Sequence, residues 1–153
     1  MLPPGSRAPE FTLPDQDGRE VSLSALLGHR MLILYFYPAD FTPGCTREAC
    51  GVRDMHKEIE QAGLAVAGIS PQSADSHRAF REKYNLQFPL LADCDKAVAG
   101  MYGVRGPLGF GVRRATFLID PARTIRDAIL ADFRIGKHED FMRRALVTGR
   151  GGR

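Results

Sequence analysis

The run Met31–Tyr37, MLILYFY, limits what this chain can fold into more than any other feature. It is apolar or aromatic at every position and stops at Pro38. An alternating pattern would bury one face of a strand, whereas an unbroken one needs cover on both faces. The run is too short to cross a membrane as a helix, which takes roughly 20 residues. It therefore reads as a central strand of a layered α/β domain, ended by a proline that cannot donate to a sheet ladder. A chain of 153 residues is long enough to build one core without disulfide staples. A single domain over 1–153 is expected, with a flexible tail from about 149.

The remaining pattern supplies the layers. Phe11–Leu13 and Val21–Leu23 alternate around the turn-forming Asp15–Gly18 and predict a hairpin. Ser24–Leu27 predicts one helical turn stopped at Gly28. Gly44–Ala62 predicts a long helix, because Ala49, Val52, Met55, His56 and Ile59 recur at helical spacing before Gly63. Leu64–Ser70 (LAVAGIS) reads as a second buried strand, and Phe88–Ala92 holds a third. Asp75–Tyr84 predicts an amphipathic helix, and its His77 reads as a solvated helix residue. Lys96–Tyr102 predicts a short helix before a glycine-rich loop, Gly103–Gly111. Strands at Ala115–Ile119 and Ile125–Leu130 flank a turn, and Lys137–Val147 closes the chain as a helix. Strands alternating with helices and then pairing as a hairpin give an α/β class, a mixed central sheet with helices on both faces.

Composition narrows function. Hydrophobic residues at 44% and charged residues at 25% exclude a disordered or fibrous chain. Arginine outnumbers lysine 17 to 4, which invites a nucleic-acid reading, but 18 acidic residues are interspersed and the net charge is only +3. A solvated mixed surface is expected, with no nucleic acid and no membrane as partner. Met1–Ser6 has neither a charged n-region nor an apolar h-region, so no signal peptide is expected. No long apolar face is left over, which predicts a monomer. Three cysteines are too few and too odd for a disulfide framework. In a reducing, cytoplasmic setting such thiols are catalytic, redox-active or metal-binding.

The chemistry concentrates in Pro38–Cys50, PADFTPGCTREAC. Thr42 suits an N-cap and Pro43 a first helical residue, so Cys45 falls in the first turn. There the helix dipole and unpaired N–H groups favour a thiolate. An ordinary thiol pKa of about 8.5 leaves ~3% thiolate at pH 7, and one of about 6 would leave ~90%. That roughly 30-fold gain is limited, because nucleophilicity falls with pKa. A fast thiol enzyme therefore needs further groups that stabilise the transition state. Gly44 lets a substrate approach the backbone, and Phe36 and Pro38 are placed to keep water from the sulfur. Glu48 either orients the site or favours the helix N-terminus. Cys50 lies five residues on, with its Cα about 8.7 Å from that of Cys45 in an intact helix. A disulfide needs less than about 7 Å, so pairing would require the first turns to unwind. Cys94 reads as a surface thiol, a filler or an alternative partner for Cys45. The spacing matches no regular zinc site.

These residues resemble the peroxiredoxins, in the bacterioferritin-comigratory or PrxQ branch. Pro38, Thr42 and Cys45 match P-x-x-x-T-x-x-C, inside YFYPADFTPGCTREAC. APEFTLPDQDG, GIS with SADSHRAF, FPLLAD, YGV and RRATFLID extend the likeness over nearly the whole chain. The resemblance implies a thioredoxin-like fold and a thiol peroxidase acting on hydrogen peroxide and organic hydroperoxides. Cys45 would be the peroxidatic cysteine, Thr42 would hydrogen-bond peroxide and thiolate, and Pro38 would shield the site. Arg114 fits the family's arginine, while Arg113 faces the other way by strand alternation. Cys50 would resolve the Cys45 sulfenic acid, and thioredoxin or a similar dithiol would recycle the disulfide. No metal, haem or flavin is implied. The competing readings are a general thiol–disulfide oxidoreductase and a redox-sensing or chaperone-like binding protein.

Overall fold

The computed structural model describes residues 1–151, the side chains of 149–151 excepted. The chain opens with an antiparallel hairpin, β1 (Thr12–Pro14) against β2 (Glu20–Ser22). Both strands lie about one residue from the predicted places. The Asp15 carboxylate accepts the N–H groups of Asp17 and Arg19 and builds the turn. The Ser22 hydroxyl accepts the N–H of Ala25, which draws Leu23 out of the strand and into α1 (Leu23–Leu27). Then follow β3 (Met31–Phe36), α2 (Pro43–Gln61), β4 (Leu64–Ser70), α3 (Ala74–Tyr84), β5 (Leu90–Ala92) and α4 (Ala97–Met101). The glycine-rich loop contains one 3-10 turn, Pro107–Gly109. β6 (Ala115–Ile119), β7 (Ile125–Leu130) and α5 (Ile135–Gly151) complete the chain.

The five-stranded sheet has the order β5-β4-β3-β6-β7. β3 and β4 are parallel, as are β4 and β5, whereas β6 runs antiparallel to both β3 and β7. Alternate residues of β3 supply two cores. Leu32, Leu34 and Phe36 join Leu23 and Leu27 of α1 and Val98 and Ala99 of α4. Ile33 and Tyr35 join Val52 and Ile59 of α2, Phe80 of α3, and Phe141, Met142 and Ala145 of α5. The apolar run is thus covered on both sides, as its unbroken pattern requires. No helix among the described residues is long and apolar enough to cross a membrane.

α5 departs from expectation at both ends. It starts at Ile135 and continues through Gly151. Residues 149–151 are thus assigned to the helix, and 152 and 153, the rest of the expected tail, lie outside the described residues. Glycine costs about 1 kcal/mol in a helix interior. Docking through Phe141, Met142, Ala145 and Leu146 outweighs that penalty.

Candidate active site

β3 ends in the centre of the sheet, and the chain turns through 38–42 into α2. Phe41 makes the turn with φ 64°, a left-handed conformation that is costly without glycine. The Phe41 ring packs edge-on against Phe80, with centroids 5.1 Å apart. Thr42 holds the N-cap position in extended conformation, with Pro43 as the first helical residue. Its hydroxyl donates to the Ala39 carbonyl at 3.0 Å and does not cap the helix. The backbone N–H groups of Gly44 and Cys45 make no hydrogen bond among the described residues, so the helix start keeps free donors.

Cys45 faces inward and is 1% exposed. Arg114, just before β6, donates from Nη2 to Cys45 Sγ at 3.1 Å and from Nη1 to Glu48 Oε1 at 2.7 Å. Asp132 places this arginine: its carboxylate accepts the Arg114 N–H at 3.1 Å, and its carbonyl accepts Nε at 3.4 Å. The same carboxylate pairs with Arg113 at 2.8 Å on the exposed side. The two arginines thus point opposite ways, one to solvent and one to the sulfur. A Cβ on Gly44 would lie 3.2 Å from Arg114 Nη2, so a side chain there would press on the guanidinium. Burial opposes the charge of Arg114, but Glu48 and Cys45 outweigh it and hold its pKa above the ordinary value.

Glu48 is 1% exposed. Burial pushes its carboxyl up to about 7 against the pull of Arg114, with Glu139 adding to the rise. Its Oε2 has no hydrogen-bond partner among the described residues and lies 3.7 Å from His138 Nδ1. His138, on α5, accepts the Thr116 hydroxyl at Nδ1 and donates from Nε2 to the Ala131 carbonyl, both at 2.8 Å. Burial holds its pKa below the usual histidine value. The sequence reading missed His138. Its signal was there: position 138 continues the buried stripe of Phe141, Met142 and Ala145 at helical spacing.

His77 is corrected outright, being fully buried instead of solvated. Its Nδ1 lies 2.7 Å from Asp40 Oδ2, and its Nε2 lies 3.0 Å from the Leu91 carbonyl. Both ring nitrogens thus have an oxygen partner in the core. Tyr37 and Ser76 also donate to the Asp40 carboxylate, at 2.6 and 2.8 Å. Burial opposes ionisation of Asp40, but hydrogen bonds from His77, Tyr37 and Ser76 outweigh it and bring its pKa below the ordinary value. Asp40 sits between Pro38 and Thr42, so α3 holds the loop that shapes the site.

Pro38, Thr42, Gly44 and Arg114 line one open groove of about 770 Å³, with Cys45 behind them. The glycine-rich loop forms one wall through Pro107 and Phe110, and Phe133 and Ile135 form the other. Leu108 (95% exposed), Phe110 (75%) and Phe133 (96%) stand out at or beside the rim. The ground for expecting a monomer, that no apolar face is left over, does not hold at this rim. These residues sit in irregular segments without periodicity, where pattern reading has no hold. All three cysteines are free: Cys50 is half-buried on α2, and Cys94 is exposed beside Gln72. The fold thus gathers Pro38, Thr42, Cys45 and Arg114 at one site and leaves Cys50 and Cys94 without a sulfur partner.

A family model described as the AhpC/TSA family matches residues 4–128. Peroxiredoxin Bcp of Escherichia coli K12 is 43% identical over 145 residues, spanning 91% of this chain and 92% of that protein. The crystal structure of the peroxidoxin BcpB from Mycobacterium tuberculosis superposes with a TM-score of 0.90 at 40% identity, covering 100% of this chain and 99% of that one. A bacterioferritin comigratory protein of Xanthomonas campestris, solved in trapped-intermediate and ligand complexes bearing on its alkyl peroxide reduction, superposes at 0.83 with 30% identity, covering 92% of each chain.

Proposed function

This chain belongs to the AhpC/TSA family, among the peroxiredoxins of the Bcp/PrxQ branch with their thioredoxin-like fold, and is a thiol peroxidase; on that premise we propose that Cys45 is the thiol that takes the peroxide oxygen. The contact between Arg114 and the Cys45 sulfur carries this reading. The Cys45 thiolate attacks one oxygen of hydrogen peroxide or an organic hydroperoxide. An S–O bond forms, the O–O bond breaks, and its electron pair goes to the leaving oxygen. That oxygen takes a proton and departs as water or an alcohol, leaving a sulfenic acid on Cys45. Negative charge grows on the leaving oxygen, and donors aimed there lower the barrier. Arg114, the Thr42 hydroxyl and the free N–H groups at the start of α2 are the donors at hand. Pro38 forms the groove wall that keeps water from the sulfur.

Cys50 then condenses with the sulfenic acid, giving a Cys45–Cys50 disulfide and water, and a dithiol protein of the thioredoxin type reduces it by exchange. Helical geometry holds the two Cα atoms about 8.7 Å apart, so the first turns of α2 unwind in this step. Cys45 then leaves Arg114. The three free thiols suit a reducing, cytoplasmic setting.

Peroxide-dependent consumption of reduced thioredoxin tests the activity, and its absence would contradict the reading. The resolving step has its own check. After one equivalent of peroxide, non-reducing peptide mapping is expected to find a Cys45–Cys50 bridge in the unsubstituted protein and in Cys94→Ser, and none in Cys50→Ser. A Cys45–Cys94 bridge would overturn the assignment.

A further inference from the structure

Two groups that carry negative charge when ionised contend for one buried guanidinium. Arg114 donates to Cys45 Sγ at 3.1 Å and to Glu48 Oε1 at 2.7 Å. Cys45 and Glu48 are 1% exposed and Arg114 is 5%. Among the described residues, the neighbouring elements bring no second positive charge to them. His138 on α5 donates from Nε2 to the Ala131 carbonyl, and burial holds its pKa below the usual histidine value, which favours the neutral ring. Arg113 is turned to Asp132 at the surface, and Arg47 pairs with Glu139 at 3.6 Å where both reach solvent. Tyr35 on β3 is buried beside the site, and its hydroxyl is held neutral by burial and by the charges of Glu48 and Cys45. With thiolate and carboxylate both ionised, the buried cluster would carry an unbalanced negative charge, which a low-dielectric interior strongly disfavours.

We propose that Glu48 and Cys45 hold Arg114 as counterion by turns: Glu48 takes up a proton when the Cys45 thiol ionises and gives it up when peroxide consumes the sulfur's charge. Before attack the cluster holds a thiolate, a neutral carboxyl and the guanidinium. Attack converts the thiolate to a sulfenic acid and releases an alkoxide or hydroxide that needs one proton. Glu48 then releases one proton and returns to Arg114 as a carboxylate, so the count closes. Glu48 Oε2 faces His138 and not the groove, so the proton balance closes by exchange with solvent and not by direct transfer to the leaving oxygen. Three features support the exchange. Glu48 is poised to titrate near neutrality, at about 7. Its Oε2 is free to hold the proton. The nearest basic nitrogen, His138 Nδ1, is 3.7 Å away and can accept from the protonated carboxyl in place of the Thr116 hydroxyl. Glu48 is a positioning residue in this scheme, since it acts on the sulfur only through Arg114.

The proposal builds on the peroxidase reading, but its test reads the thiol itself. In reduced Glu48→Gln, the rate of Cys45 alkylation by iodoacetamide, followed by mass spectrometry of the Cys45 peptide, is measured against pH. A neutral amide leaves Arg114 wholly to the sulfur, so the midpoint is expected to fall by about one pH unit relative to the unsubstituted protein. A brace that merely steadies the arginine predicts the opposite sign, and a midpoint that stays or rises overturns the proposal. Linkage supplies a second measurement that does not need that variant to fold. In Cys45→Ser the carbon-13 signal of the Glu48 carboxyl is expected to titrate at lower pH than in the reduced unsubstituted protein, and an unchanged titration likewise overturns it. Normal peroxide turnover alongside an unmoved midpoint would reject the shared counterion and leave the peroxidase reading standing.

Discussion

Arg114→Met is expected to lower the second-order rate constant for peroxide reduction by about 10²- to 10³-fold, the usual effect of removing one donor aimed at developing negative charge. The guanidinium is the only side-chain donor that contacts the Cys45 sulfur among the described residues. Methionine keeps much of the length and apolar volume but removes the charge and the hydrogen bonds to Cys45, Glu48 and the Asp132 carbonyl. Lysine would retain a charge but cannot span the sulfur and the Glu48 carboxylate together, because it lacks the planar fork. The variant should still fold. Glu48 loses its partner but can become neutral, since its carboxyl already titrates at about 7. The chain has no tryptophan to report the reaction, so competition with a reference peroxidase for limiting peroxide is the suitable assay. A loss of less than tenfold, in a variant with unchanged circular dichroism, would mean that Arg114 does not serve the transition state.

His77→Leu is expected to destabilise the fold by about 1–3 kcal/mol, the usual cost of leaving a buried polar group without its hydrogen-bond partner. Leucine removes the ring nitrogens that face Asp40 and the Leu91 carbonyl, and leaves the Asp40 side chain in a fully buried place without that partner. Urea denaturation measures the effect, and a change under about 1 kcal/mol would show that the pair carries little. The pH dependence has a definite sign. The folded pKa of Asp40 is depressed, so its contribution is complete above the unfolded carboxyl value of about 4 and disappears as pH falls through the folded value. Peroxide reduction should weaken as well, because Asp40 anchors the loop between Pro38 and Thr42.

Much of this architecture is legible in the chain. An unbroken apolar run can only be a strand between two layers, and Thr42-Pro43-Gly44-Cys45 can hardly do other than begin a helix with a thiol in its first turn. Arg114 needed the resemblance to be noticed, since R-x-T-F-L-I-D alone does not show what a residue 69 positions from Cys45 will face. The charged core was the least legible part. Glu48, His77 and His138 are polar residues on helices, and their types predict solvent. Each is buried because partners from other elements satisfy or charge-balance it, and such pairings have no local signature. The apolar rim at Leu108, Phe110 and Phe133 was hidden for the converse reason, as exposed side chains in irregular loops leave no periodicity to read.

The central claim is that Cys45 is the sulfur that peroxide oxidises. Its most direct measurement is to treat reduced Cys50→Ser with one equivalent of hydrogen peroxide, trap sulfenic acid with dimedone and map the adduct by peptide mass. One adduct is expected, on Cys45, and it disappears when Cys45 is also replaced by serine. An adduct on Cys94 with none on Cys45 would contradict it.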